Sequence, residues 1–143
     1  MIILCEDSNE FLNICDKLQE VKGARLTQKI LYNYMISGLY NKCVFTYVSY
    51  DKDEMNGCLV LLYMKDLVNE ATLNLLFIWV NAHYPNLLEE FIDIAVKKAK
   101  ELQVKKIAFI TNRNEKVINK RVGKFEFYKI CSIFEKEVNI NGN

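Results

Sequence analysis

Between residues 8 and 21 the apolar positions Phe11, Leu12, Cys15, Leu18 and Val21 recur at the spacing of one helical face. Ser8 or Asn9 is the expected N-cap and Gly23 the expected stop. A second helix is expected over 26–37, with Ile30, Leu31, Tyr34 and Met35 on one face and Thr27 near its start. Gly38 and Asn41 then break the pattern. Residues 1–5, ahead of both helices, read as a short strand or a packed arm.

The period changes to two at residues 43–50, where Phe45, Tyr47 and Ser49 alternate with Thr46, Val48 and Tyr50. A second β-rich run covers 58–65. The polar tract between them ends in Asn56-Gly57, a dipeptide that tolerates positive φ and marks a tight hairpin turn. Asp51, Asp53 and Glu54 in that tract lack the remaining ligands of a calcium loop and read as a solvated tip. After a turn at 66–72 comes a strand at 73–80, a short loop at 81–86, and a strongly amphipathic helix. That helix places Leu88, Phe91, Ile92, Ala95, Ala99 and Leu102 on one broad face. The near-continuous apolar run in 104–111 predicts a strand buried on both faces. With the helix before it, this makes a βαβ-type unit. A last helix is expected over 114–123 and a long or broken strand over 125–138, with a disordered tail at 139–143. The order, short β, α, α, β, β, β, α, β, α, β, fits neither a doubly wound sheet nor an all-β fold.

Composition narrows the class. The chain has 143 residues, half of them hydrophobic, with five glycines and one proline, which describes a single globular domain without linkers. No apolar run is long enough for a membrane span, and the N-terminus lacks the basic region of a signal peptide. Cys5, Cys15, Cys43, Cys58 and Cys131 are scattered and odd in number, and His83 is the sole histidine. They predict free thiols in a reducing cytoplasm and no metal site. Charge is uneven. Residues 1–96 carry seven Lys/Arg against thirteen Asp/Glu, and residues 97–143 carry twelve against five. The plainer reading of Lys97, Lys98, Lys100, Lys105 and Lys106 is a solvated helix end, where cations complement the dipole. No nucleic-acid motif accompanies them.

The strand 73–80 with its helix 87–102, the strand 106–111 and the ending Gly123-Lys-Phe-Glu-Phe-Tyr through Val138 carry a resemblance. In these segments, and in element order over nearly its full length, the chain resembles the GNAT superfamily of N-acetyltransferases. The resemblance implies a mixed α+β fold with a central, mostly antiparallel sheet, one parallel splayed strand pair, and helices on both faces. It implies acetyl-CoA as co-substrate, its pantetheine paired with backbone at Ile78, Trp79 and Val80. Its pyrophosphate would lie by Tyr84, Asn86, Leu87 and Leu88, and Asn114 would open the last helix near the cofactor or serve as a plain N-cap. Lys116, Lys120, Arg121 and Lys124 would meet the nucleotide phosphates or form a solvated basic face.

Two departures accompany the likeness. The family's glycine-containing pyrophosphate loop is replaced by His83, Tyr84, Pro85, Asn86, Leu87 and Leu88, one or two residues shorter. Asn86 and Glu89 read as a capping box that would occupy two amides a phosphate needs. The tyrosine that many members use as general acid is replaced at comparable positions by Arg121 and Val122. No carboxylate in 73–80 offers itself, so no general base is identified; His83, beside the loop, is a candidate, and its plainer reading is an exposed loop histidine. The implied activity is acetyl transfer to a small-molecule or peptide amine by direct attack in a ternary complex. The alternative is a non-catalytic domain of the same fold serving as an interaction or ligand-binding module.

Overall fold

In the computed structural model, which describes residues 1–21, 26–65, 70–110, 115–129 and 136–139, a short strand β1 (Ile2–Leu4) leads into helix α1 (Ser8–Lys17). The cap is Asp7, not Ser8 or Asn9. Its extended backbone lets the carboxylate accept from the Asn9 amide at 2.9 Å. A 3-10 turn, Leu18–Glu20, closes that segment, and the expected stop at Gly23 lies outside the described residues. Helix α2 (Gln28–Asn41) is capped by Thr27, whose hydroxyl accepts from the Ile30 amide at 3.2 Å. It runs straight through Gly38. There a Cβ would stand 2.6 Å from the Val44 carbonyl, so the glycine serves close packing against the next strand and does not end the helix.

Strands β2 (Val44–Asp51), β3 (Glu54–Lys65) and β4 (Ala71–Val80) form an antiparallel meander. The β2–β3 turn falls at Lys52 and Asp53, with Lys52 in the left-handed region at φ 59°. Asn56-Gly57 is therefore not the turn. The β2–β3 register slips there, Ser49 opposing Gly57 and Tyr50 opposing Met55, so Asn56 is a bulge inside β3. Helix α3 (Leu87–Glu101) crosses to β5 (Ile107–Ala108), which pairs parallel with β4. The described sheet is mixed and five-stranded, in the order β1-β2-β3-β4-β5.

Helices cover both faces. Phe11, Ile14 and Cys15 of α1 and Leu31 and Met35 of α2 bury against Val44, Val48, Cys58, Val60, Phe77 and Trp79. The alternate positions Leu59, Leu61, Leu73 and Leu75 are also buried, on the face where α3 packs over β3, β4 and β5 with Leu87, Phe91, Ile92, Ala95 and Ala99.

The described part of the expected strand, 104–110, is not buried on both faces. Among the described residues its strand is Ile107–Ala108, both half-buried, and Ile110 is exposed, while Thr111 lies outside the described residues. The chain divides into two compact units, Met1–Arg113 and Asn114–Asn143. The second carries helix α4 (Glu115–Val122) and a 3-10 turn, Gly123–Phe125. Its described residues beyond that turn, 126–129 and 136–139, form no strand, and Glu126 breaks the extension by turning left-handed at φ 68°. Most of the expected tail lies outside the described residues.

Candidate functional site

Among the described residues, strand β4 has one edge unpaired over most of its length. It pairs with β3 from Ala71 to Val80, but with β5 only at Leu73–Ile107 and Asn74–Ala108, where the Leu73 amide donates to the Lys106 carbonyl at 3.0 Å. Just beyond, the β3–β4 register slips. Phe77 opposes Val60 and Leu75 opposes Leu61, so Leu76 is an extra residue that bends β4. Past the bulge, the Asn81 amide donates to the Asn56 carbonyl of β3 at 2.8 Å. Backbone groups alternate sides along a strand, so Trp79 also faces β3, whereas Ile78 and Val80 turn N–H and C=O toward the open edge. Among the described residues nothing from β5 pairs with them. The Trp79 side chain is buried on the α1 face, with the Lys17 ammonium 4.6 Å from its ring centroid.

The loop after β4 is knitted to itself. Asn81 Oδ1 accepts from the His83 amide at 2.9 Å, the Asn81 carbonyl from the Tyr84 amide at 3.0 Å, and the Tyr84 carbonyl from the Leu87 amide at 3.1 Å. The expected capping box is absent. Asn86 is already helical at φ −85°, ψ −10° and makes no side-chain cap bond, because the turn from Tyr84 winds the backbone before the helix begins. A capping oxygen needs the extended backbone that Asp7 and Thr27 have. The amides of Leu88 and Glu89 are thus left without intrahelical acceptor or side-chain cap at the positive end of α3. Exposed Glu89 and Glu90 in the same turn oppose an anion there.

His83 and Asn86 are exposed, Leu88 is half-buried, and Leu87 is buried under α3. The Tyr84 hydroxyl donates to the Asp51 carboxylate at the end of β2. That bond, with Asp51 and Glu54 nearby, holds its pKa above the ordinary tyrosine value. Tyr50, the neighbour of Asp51, donates to Glu10 of α1, and burial pushes its pKa up further than the carboxylate does. Arg121 is exposed on α4, in the second unit, as are Lys116, Lys120 and Lys124 around it. Asn114 lies outside the described residues. The structure therefore brings Ile78, Val80, Tyr84, Asn86, Leu87 and Leu88 together along one edge, and His83 sits beside them.

The bulge at Leu76 and the Tyr84–Asp51 bond carry no signature in the sequence. The Asp7 cap does, since Asp7 and Glu10 have the spacing of a capping box. Two cavities lie elsewhere, one of about 230 Å³ between β1 and the second half of α3 and one of about 200 Å³ among β1, α2 and β2. The first is lined by Tyr47 and by Lys98, whose ammonium is 2.9 Å from Glu101. Cys5, Cys15, Cys43 and Cys58 are free thiols, and Cys131 lies outside the described residues. Among the described residues no group of three His, Cys, Asp or Glu is placed to hold a metal, and no helix is long and apolar enough to cross a membrane.

No protein-family model matches the sequence, and no curated protein matches it at a significant level. Solved structures do match the fold. An aminoglycoside antibiotic 6'-N-acetyltransferase from Acinetobacter baumannii superposes with a TM-score of 0.74 at 13% identity, covering 98% of each chain. A predicted acetyltransferase from Clostridium acetobutylicum, solved with acetyl-CoA, gives 0.72 at 13% identity over 96% of each chain. An aminoglycoside acetyltransferase in complex with a CoA-containing bisubstrate analogue gives 0.74 at 13% identity, covering 97% of this chain and 98% of its own.

Proposed function

We propose that this chain, which has the fold of the GNAT N-acetyltransferases, binds acetyl-CoA along the open edge of β4 and transfers the acetyl group to an amine. One observation carries the reading. Among the described residues β4 parts from β5 after Asn74, turns the backbone of Ile78 and Val80 to the gap, and leads through the loop 81–86 to a helix whose Leu88 and Glu89 amides are uncapped. An extended amide-bearing arm fits the strand edge, because it can exchange the same hydrogen bonds that a further strand would make. A pyrophosphate fits the helix start, where free N–H groups and the dipole both favour an anion.

Acetyl-CoA supplies the activated thioester; the protein's share is placement. Backbone at Ile78 and Val80 orients the arm, and the amides of Leu88 and Glu89 meet the phosphates. Holding the amine against the thioester carbonyl makes the attack effectively unimolecular. His83, exposed beside the edge, is the candidate to take the proton from the ammonium, so that the free amine attacks the thioester carbonyl; the C–S bond then breaks and CoA leaves as a thiolate protonated from solvent.

The direct test is release of free CoA thiol from acetyl-CoA in the presence of a panel of small and peptide amines. Amine-dependent release is expected. If His83 is the base, His83→Ala lowers kcat about 100-fold or more while CoA affinity stays unchanged. A second reading, a non-catalytic module of the same fold, is favoured by Glu89 and Glu90 at the helix start. Thiol release that no amine stimulates would select it.

A further inference from the structure

We propose that Tyr84 is a positioning residue: by donating to Asp51 it latches the loop after β4 to the β2–β3 hairpin and so fixes the start of α3 against which an anion would rest. The inference builds on the acetyl-CoA reading above and deepens it. A loop containing glycine can wrap a phosphate with its own backbone, because no Cβ intervenes. The loop 81–86 has no glycine, so the position of the α3 amides must be set from outside.

The structure supplies the outside ties. The Asn81 amide is held by the Asn56 carbonyl of β3 at 2.8 Å. Gly57, next in β3, lets Leu87 and Phe91 of α3 come within 2.7 Å of where a Cβ would be. The other loop bonds are local, within three residues. The Tyr84 hydroxyl is the side-chain group of this loop that reaches a distant element, bonding a residue 33 positions upstream. With Asp51 and Glu54 keeping the phenol protonated, it remains a donor throughout the neutral range. The same bond engages the Asp51 carboxylate, a negative charge at the end of the sheet where a phosphate would lie.

The test compares Tyr84→Phe, Asp51→Ala and Asp51→Asn with the wild-type chain. Two readings are taken: CoA affinity by calorimetry, and amide hydrogen exchange at Asn81, Tyr84 and Leu87 in the ligand-free proteins. Tyr84→Phe should bind CoA about three- to tenfold more weakly, the scale of one ordinary hydrogen bond at an exposed site. Exchange at the three amides should be faster in Tyr84→Phe and Asp51→Ala. Asp51→Asn keeps an acceptor for the phenol and should exchange like wild type. Unchanged exchange in Tyr84→Phe, or faster exchange with CoA affinity unaltered, overturns the positioning role. If wild type binds no CoA, the acetyl-CoA reading fails on its own. The latch is then decided by exchange alone, supported if the amides speed up in Tyr84→Phe and refuted if they do not.

Discussion

At position 57 a Cβ would stand 2.6 Å from Phe91 Cε2 and 2.7 Å from Leu87 Cδ2. Phe91 is wholly buried and Leu87 nearly so, which leaves neither room to retreat in a close-packed core. Gly57→Ala should therefore cost about 1–3 kcal/mol, read from the denaturant midpoint. Gly123→Ala meets nothing within 4 Å and should change stability by no more than about 0.5 kcal/mol. The contrast shows why residue-level reading went astray at Asn56-Gly57. The dipeptide favours a hairpin turn locally, yet the glycine is needed for a contact 30 residues away that no local pattern announces. Gly38 misleads similarly, looking like a helix break when it clears the Val44 carbonyl. The caps divide in the same way. Thr27→Ala and Asp7→Ala should each cost about 1 kcal/mol, as real caps do. Asn86→Ala should cost under about 0.5 kcal/mol, because its side chain caps nothing.

Elements were more legible than their ends. The helical faces of α1, α2 and α3 and the alternation of β2 lie largely in the hydrophobic pattern, because burial of one face is what stabilises each of them. Leu12 and Ile30, expected on buried faces, are nevertheless exposed. Their ties to one another are polar and long-range, and the pattern is blind to them. One such tie is testable by pH. Tyr50 on β2 donates to Glu10 on α1, and its pKa in the folded chain is raised above the unfolded value of about 10. The neutral phenol is the favoured form, so the contribution of this pair is complete below about pH 10 and is lost as pH rises through the folded pKa. Urea titrations should find wild type more stable than Tyr50→Phe at pH 8, with the gap closing in strong alkali. At the start of α3, Glu89→Gln with Glu90→Gln should tighten CoA binding several-fold in a salt-dependent way. Helix stability should drop by about 0.3–1 kcal/mol per charge removed.

For the whole molecule, element order was enough to suggest the fold, since a meander, one crossover helix and a parallel return leave few arrangements. The site was only half legible. Ile78 and Val80, expected to offer their backbone, do face the unpaired edge, whereas Trp79, expected with them, faces β3, and the bulge at Leu76 has no sequence signature. The glycine-free loop looked self-capped, and the structure instead leaves the α3 amides uncapped. The central claim, that the open edge of β4 and the start of α3 together hold a CoA, is tested most directly by calorimetric titration of CoA into the intact chain. The account predicts a saturable heat with a dissociation constant below about 1 mM and a melting temperature that rises with ligand. No heat and no thermal shift at millimolar CoA would contradict it.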